Sequence, residues 1–442
     1  MRSVPSAPRA AHLFTGFAAL CAAPLLSADL AAQQSTRSAA KPTPLEASVD
    51  RLAAHPTVKA AFAAIERDNA WTLDQQAAIC QIPAPPFKEQ ARAAAYRDKL
   101  KALGVQHVRL DGEGNVIGEI GGVRPGPTLL LAGHLDTVFP EGTDVTVKRE
   151  GTKLIGPGIG DDCRGLAVVL AVARQVITQK VPFAGRLLVV GNVGEEGPGN
   201  LRGTRALFSG PLKDSIDMFI SVDGTGFGIT NGGVGSNRYR VHYKGPGGHS
   251  YGAFGMPNPM HAMGRAIAKI ADLEASTKPK VTFNVGIASG GTSVNSIPFE
   301  ATMEIDLRSE SAAALAEIDA RLQKALREAV QEEKARWPRS NAALSVVIDT
   351  IGIRPAGATP DSALIVRTSL AAARTMNVYA PLTIASTDAN VPMNLGRPAV
   401  TLDGGGVGRG AHSLDESYDD RNDGHKGPQY VLLVVLGLLG VK

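Results

Sequence analysis

Apolar runs that break into a loop carrying a histidine or a carboxylate constrain this chain more than any other feature. The run Thr128–Ala132 passes directly into Gly133-His134-Leu135-Asp136-Thr137. Apolar residues follow one another there without alternating, a pattern found where a strand has both faces covered. Four further transitions deliver Asp161, Glu195-Glu196, Asp223 and His412. Open α/β sheets present their ligand-binding groups at the carboxyl ends of their strands. Five such endings therefore predict one shared polynuclear metal site, not five unrelated loops.

The rest of the chain agrees with a layered α/β fold. Helical patterns over Val58–Cys80 and Glu89–Leu103 come first, followed by strand patterns at Val108–Asp111, Asn115–Ile120 and Thr128–Ala132. Leu166–Thr178 reads as a helix, and Arg186–Asn192 and Asp217–Val222 as strands. Such alternation predicts a mostly parallel sheet with helices on both faces. After Gly224 the style changes. Strands Arg238–Tyr243, Val281–Ile287, Thr302–Leu307 and Ala343–Ile348 are interleaved with helices Pro259–Ala271 and Ala312–Trp337, in the order βαββαβ. The buried-strand style returns beyond Gly352. The expected fold is α/β: a discontinuous domain (residues 56–228 and 351–442) interrupted by an inserted two-layer α+β module at 229–350.

Residues 1–32 fall outside this fold. Arg2 and Arg9 precede the apolar stretch Leu13–Leu26, and small residues follow, as in a secretory signal peptide. The stretch is shorter than the roughly 20 residues of a membrane span. Export to a periplasmic or extracellular location is expected, with an uncleaved N-terminal anchor as the alternative and no stable span once the signal is removed. Residues 33–55, rich in Ala, Ser, Thr and Pro, read as a linker. Cys80 and Cys163 are expected as free, buried thiols; two cysteines allow one bridge but no disulfide framework. A net charge of +4 spread over 442 residues, with no basic cluster, argues against a nucleic-acid partner. The glycine runs lack GxGxxG spacing and a P-loop lysine, and no Gly-x-Ser-x-Gly elbow is present.

Two imidazoles and three carboxylates suit a pair of divalent ions sharing one carboxylate. Nitrogen donors together with oxygen favour Zn²⁺, with Co²⁺ or Mn²⁺ as substitutes, over oxygen-only Ca²⁺. The Glu195-Glu196 doublet holds one carboxylate beyond that count, available to move a proton.

At these residues the chain resembles the M20 family of zinc metallopeptidases, in Gly133-His134-Leu135-Asp136-Thr137, Gly158-Ile159-Gly160-Asp161-Asp162, Glu195-Glu196-Gly197 and the distal His412. The resemblance implies two Zn²⁺ per subunit. Asp161 would bridge them, with His134 and Asp223 on one ion and Glu196 and His412 on the other. It also implies Glu195 as general base and Asp136 as the residue orienting the His134 ring. His249 in Gly247-Gly248-His249-Ser250 would be a lid histidine stabilising an oxyanion, often in a partner subunit. Asn295, Arg308 and Arg354 would contact substrate, Arg354 by gripping a carboxylate. The insertion would be a lid and dimerisation domain, and a homodimer is expected. Cys163-Arg164 departs from the family pattern, where many members carry a lysine and a small residue. The implied activity is hydrolysis of amide bonds in short peptides by an exopeptidase. An N-acyl amino acid deacylase is the alternative of the same fold, and a non-catalytic metal-binding protein the alternative of another class.

Overall fold

The computed structural model describes residues 41–441. The expected signal segment, residues 1–32, and the first part of the expected linker lie outside the described residues. The remainder of that linker is not extended. Pro44–Ala54 is a helix that buries Val49 and packs against a later helix, Leu364–Thr375. Proline at its first position is compatible with this, because the missing N–H would have no partner in the first turn anyway.

Nine strands form the large sheet: β1 Gln106–Leu110, β2 Val116–Gly121, β3 Arg124–His134, β4 Ala184–Asn192, β5 Met218–Val222, β6 Ile229–Gly233, β7 Gly357–Ala358, β8 Leu382–Ala385 and β9 Ala399–Leu402. Their order in space is β1-β2-β4-β3-β5-β9-β6-β7, with β8 paired to β6. The four central strands, β4, β3, β5 and β9, are parallel. The antiparallel pairings lie at the flanks.

The unbroken apolar run in β3 has a direct cause. Leu129 and Leu131 enter one core with the helices Cys163–Thr178 and Lys426–Leu439. Leu130 and Ala132 enter a second core with Leu207, Phe208, Val391 and Met393. Helices thus cover both faces, and each leucine buried this way contributes about 2 kcal/mol.

Between β6 and β7 the chain leaves this sheet. Gly235–Lys244, Val281–Gly290, Glu300–Ser309 and Ser345–Arg354 form a four-stranded antiparallel sheet backed by the helices Pro259–Ala271 and Ala312–Arg336. The expected start of this module at residue 229 falls in β6, which belongs to the large sheet. Its expected end at 350 falls inside a strand that runs on to Arg354. A separate four-stranded sheet, absent from the sequence reading, joins Val407–Arg409 and Ser417–Asp419 to Lys153–Ile155 and Lys148–Glu150.

Cys80 and Cys163, expected as free thiols, form a disulfide with Cα atoms 5.5 Å apart. The end of the helix Asn69–Cys80 and the start of Cys163–Thr178 meet only in the fold, so a separation of 83 residues concealed the pairing. No helix among the described residues is long and apolar enough to cross a membrane.

Candidate metal centre

Because β4, β3, β5 and β9 are parallel neighbours, their carboxyl ends share one edge. His134 is the last residue of β3, Asp223 follows β5, and Glu195-Glu196 follow β4. His412 arrives from the loop beyond β9, and Asp161 from the loop that opens the helix Cys163–Thr178. That helix approaches the sheet closely: a Cβ on Gly165 would lie 1.9 Å from the Val222 carbonyl oxygen. Only glycine permits this approach, and it carries Asp161 to the strand edge.

The side chains converge. His134 Nε2 lies 3.0 Å from Asp161 Oδ1, and His412 Nε2 lies 3.0 Å from Asp161 Oδ2 and 3.1 Å from Glu196 Oε1. Three overlapping groups each gather donor atoms within 4.8 Å: His134, Asp161 and Asp223; Asp161, Glu196 and His412; and His134, Glu195 and Glu196. Asp161 belongs to the first two, and Glu195 to neither of them.

Their electrostatics fit a cation. Burial, and then the charge of Asp161, push Asp223 up to about 7 and Glu196 up to about 8. Burial raises Glu195 to about 8 against the pull of Arg354. His412 rises to about 9, chiefly through its hydrogen bond to Asp161. For His134, burial opposes the charged form, but Asp136 and Asp161 outweigh it and raise the ring well above its usual value. Acids crowded in a dry site resist simultaneous ionisation. Divalent ions relieve that conflict, and this mixed nitrogen and oxygen donor set suits them.

Several supporting residues show how the site is held. Asp136, fully buried, accepts the backbone N–H of Glu195 at 3.0 Å and of Glu196 at 2.8 Å. Its own backbone carbonyl lies 3.1 Å from His134 Nδ1, closer than its carboxylate at 3.6 Å. Asp136 therefore orients the ring largely through its main chain, while its carboxylate aims the glutamate doublet. Glu416 accepts the N–H groups of Gly158, Gly160 and Asp161. Asp162 caps the helix at Gly165 and accepts the His134 N–H.

The sequence reading missed the buried Arg92 and Asp388, and it marked the buried Arg164 only as a departure from the family pattern. Arg92 donates to the carbonyls of Cys80, Ile82 and Leu135, and Arg164 to those of Gly404 and Gly424. Asp388 accepts from Asn192 and Thr204 beneath the cluster. Neither Arg92 nor Asp388 belongs to a motif; only burial marks them.

Of the remaining candidates, Arg354 adjoins the cluster, and His249, Asn295 and Arg308 belong to the inserted module. His249 is exposed on the inserted module, where Nδ1 accepts the N–H groups of Tyr251 and Gly252. A neutral ring so held carries its proton on Nε2 and presents a donor outward. A two-residue ladder, Gly248-His249 against Ser296-Ile297, brings Asn295 beside Ser250. Arg308 is paired with Asp306, which also holds Arg238. Arg354, expected to grip a substrate carboxylate, is 6% exposed and already engaged. Its Nη1 reaches Glu195 Oε1 and Ser386 Oγ, each at 3.1 Å, and Nη2 donates to the Glu195 carbonyl.

Comparison with known proteins agrees with this geometry. The family described as Peptidase family M20/M25/M40 matches residues 130–436, a stretch that contains every residue of the cluster. Carboxypeptidase G2 of Pseudomonas sp. (strain RS-16) is 31% identical over 222 residues, 48% of this chain. The match spans about half the length of that relative, 52%. Among solved structures, aminopeptidase PepT from Bacillus cereus shares the fold at a TM-score of 0.67 and 19% identity, covering 83% of this chain and 98% of its own. The Bacillus subtilis YXEP protein, described as a dinuclear metal binding peptidase from the M20 family, does so at a TM-score of 0.64 and 15% identity, covering 86% and 99%. With more than half its length matched, the chain belongs to the peptidase family M20/M25/M40.

Proposed function

We propose that this chain is a dinuclear zinc exopeptidase that hydrolyses an amide bond of a short peptide, with Glu195 as general base. The observation that supports this reading is the sharing of Asp161 between the His134–Asp161–Asp223 and Asp161–Glu196–His412 groups, with Glu195 beside them in a third group with His134 and Glu196. Asp161 would bridge two ions, His134 and Asp223 completing one site and Glu196 and His412 the other; Co²⁺ or Mn²⁺ could replace Zn²⁺. When bound, such a pair polarises the scissile carbonyl and lowers the pKa of the attacking water.

The protein's own groups do the rest. Glu195 takes the water's proton on its carboxylate and returns it to the amine nitrogen as the C–N bond breaks. Asp136 fixes where that carboxylate points, by holding the backbone of residues 195 and 196. Arg354 steadies Glu195 from the buried side. The outward Nε2–H of His249 donates to the developing oxyanion, in a partner's site if the modules dimerise. Exposed Tyr251, Phe254, Val294 and Phe299 around it support a homodimer. Asn295 and Arg308 contact substrate from the same module. The N-terminal segment directs export.

The test is a panel of short peptides and N-acyl amino acids, run with and without chelator and repeated with Glu195→Gln. Activity should vanish on chelation and return with Zn²⁺ or Co²⁺. Glu195→Gln should lose about 10²–10⁴-fold in kcat with metal content unchanged. Full activity in that variant would sink the mechanism. Turnover of N-acyl amino acids alone would move the assignment to a deacylase.

A further inference from the structure

Asp388 lies beneath the cluster, fully buried, and both of its carboxylate oxygens are bonded to neutral groups. Oδ2 accepts the side-chain amide of Asn192 at 2.6 Å, and Oδ1 accepts the hydroxyl of Thr204 at 2.5 Å. Burying a carboxylate is unfavourable unless hydrogen bonds satisfy it, and these two do. Asn192 is the last residue of β4, and Thr204 lies in the first turn of the helix Arg202–Ser209. The loop between them carries Glu195 and Glu196. One side chain therefore pins the chain where it leaves the sheet and where it enters the next helix.

That loop has a conformation its own residues do not favour. It closes through Asn200 and Leu201, both left-handed, at φ +54° and +58°. A leucine rarely adopts such a backbone, and it persists only where the surroundings impose it. The segment that presents Asp388 is rigid enough to do so. Thr387 Oγ1 meets Thr401 Oγ1 of β9 at 2.7 Å, and the Thr387 N–H donates to Asn390 Oδ1. Asn390 Nδ2 in turn donates to the carbonyls of Val234 and Pro355, where the chain leaves for the inserted module and returns from it. Ser386 Oγ accepts from Arg354 Nη1, the nitrogen that also reaches Glu195 Oε1. Residues 386–388 thus reach Glu195 twice, through its side chain by way of Arg354 and through both flanks of its loop by way of Asp388.

We propose that Asp388 is a positioning residue of the hydrolytic site: by pinning Asn192 and Thr204 it fixes the loop that aims Glu195. At 0% exposure it touches no substrate and acts only through that loop. This rests on the amide hydrolase reading above, in which Glu195 moves the proton.

The experiment uses the full chain saturated with Zn²⁺ on the short-peptide panel above. Asp388→Ala should lower kcat about 10- to 100-fold, the cost of a displaced catalytic group, and leave KM unchanged. Asp388→Asn keeps an acceptor for Asn192 and turns an amide donor to Thr204 Oγ1, so it should recover most of that loss. Thr204→Val releases one flank alone; it should lower kcat less, and add nothing when combined with Asp388→Ala. A loss confined to KM, or Asp388→Asn as impaired as Asp388→Ala, would overturn the proposal. Should Asp388→Ala fail to fold, Thr204→Val decides: a lowered kcat at constant KM upholds the proposal, and a wild-type kcat defeats it. Glu195→Gln on the same panel reports separately on the hydrolytic mechanism. Hydrogen exchange in the metal-free protein needs no turnover. Residues 193–203 should exchange faster in Thr204→Val than in wild type while the inserted module keeps its rate, and an unchanged rate in that loop defeats the proposal.

Discussion

At the scale of single residues, the chemistry-bearing groups and the groups that hold them differ in how visible they are. His134, Asp161, Glu195, Glu196, Asp223 and His412 were legible because imidazole and carboxylate after an apolar run are unusual side chains in a telling place. Arg164 was noticed only as a departure from a family pattern. Its role needs the fold, because the carbonyls it satisfies lie 240 and 260 residues away. The guanidinium also stacks on Tyr418, 4.8 Å from the ring centroid. A lysine is a compact point donor that cannot bridge two carbonyls and stack. Arg164→Lys should therefore lower stability by about 1.5–3 kcal/mol, the magnitude of a hydrogen bond to a charged group. Urea unfolding checks this, and an unchanged midpoint would mean the two carbonyls find other partners.

Among the elements, long periodic segments were readable and short ones were not. The helix Pro259–Ala271 has the bounds its pattern indicates. By contrast β6 reads Ile-Thr-Asn-Gly-Gly, with one large apolar residue, and was absorbed into the inserted module. The strands flanking Asp161 and His412 are three residues each, too short to show a period. The Cys80–Cys163 bridge ties two helices together at the base of the Asp161 loop. Closing 83 residues of chain removes denatured-state entropy worth about 4–5 kcal/mol in the loop-closure picture. Reductant, or the Cys80→Ser/Cys163→Ser pair, should lower the unfolding free energy by an amount of that order. Identical denaturation curves with and without reductant would show that the bridge does not stabilise the fold.

For the whole molecule, the cluster's charge links cation binding to protons. Asp223, Glu196 and His412 stand raised, to about 7, 8 and 9. At pH 7 Glu196 and His412 mostly hold protons, and Asp223 about half of one, that an incoming divalent ion must displace. Affinity for Zn²⁺ should therefore rise as pH increases from 7 to 9, with fewer protons released per ion at the upper end. Calorimetric titration in buffers of different ionisation enthalpy measures that number. Binding heats identical in all buffers at pH 7 would contradict the expected exchange.

The distance along the chain between His134 and His412 has a consequence for biosynthesis. The two imidazoles are 278 positions apart, and Glu416, which clamps the Asp161 loop, comes later still. No product of interrupted translation or early proteolysis ending before residue 412 contains the full donor set. Such fragments expose acids with only part of their ligand complement, so competence arrives late and all at once. A cell making this protein is thereby spared a half-built hydrolytic centre.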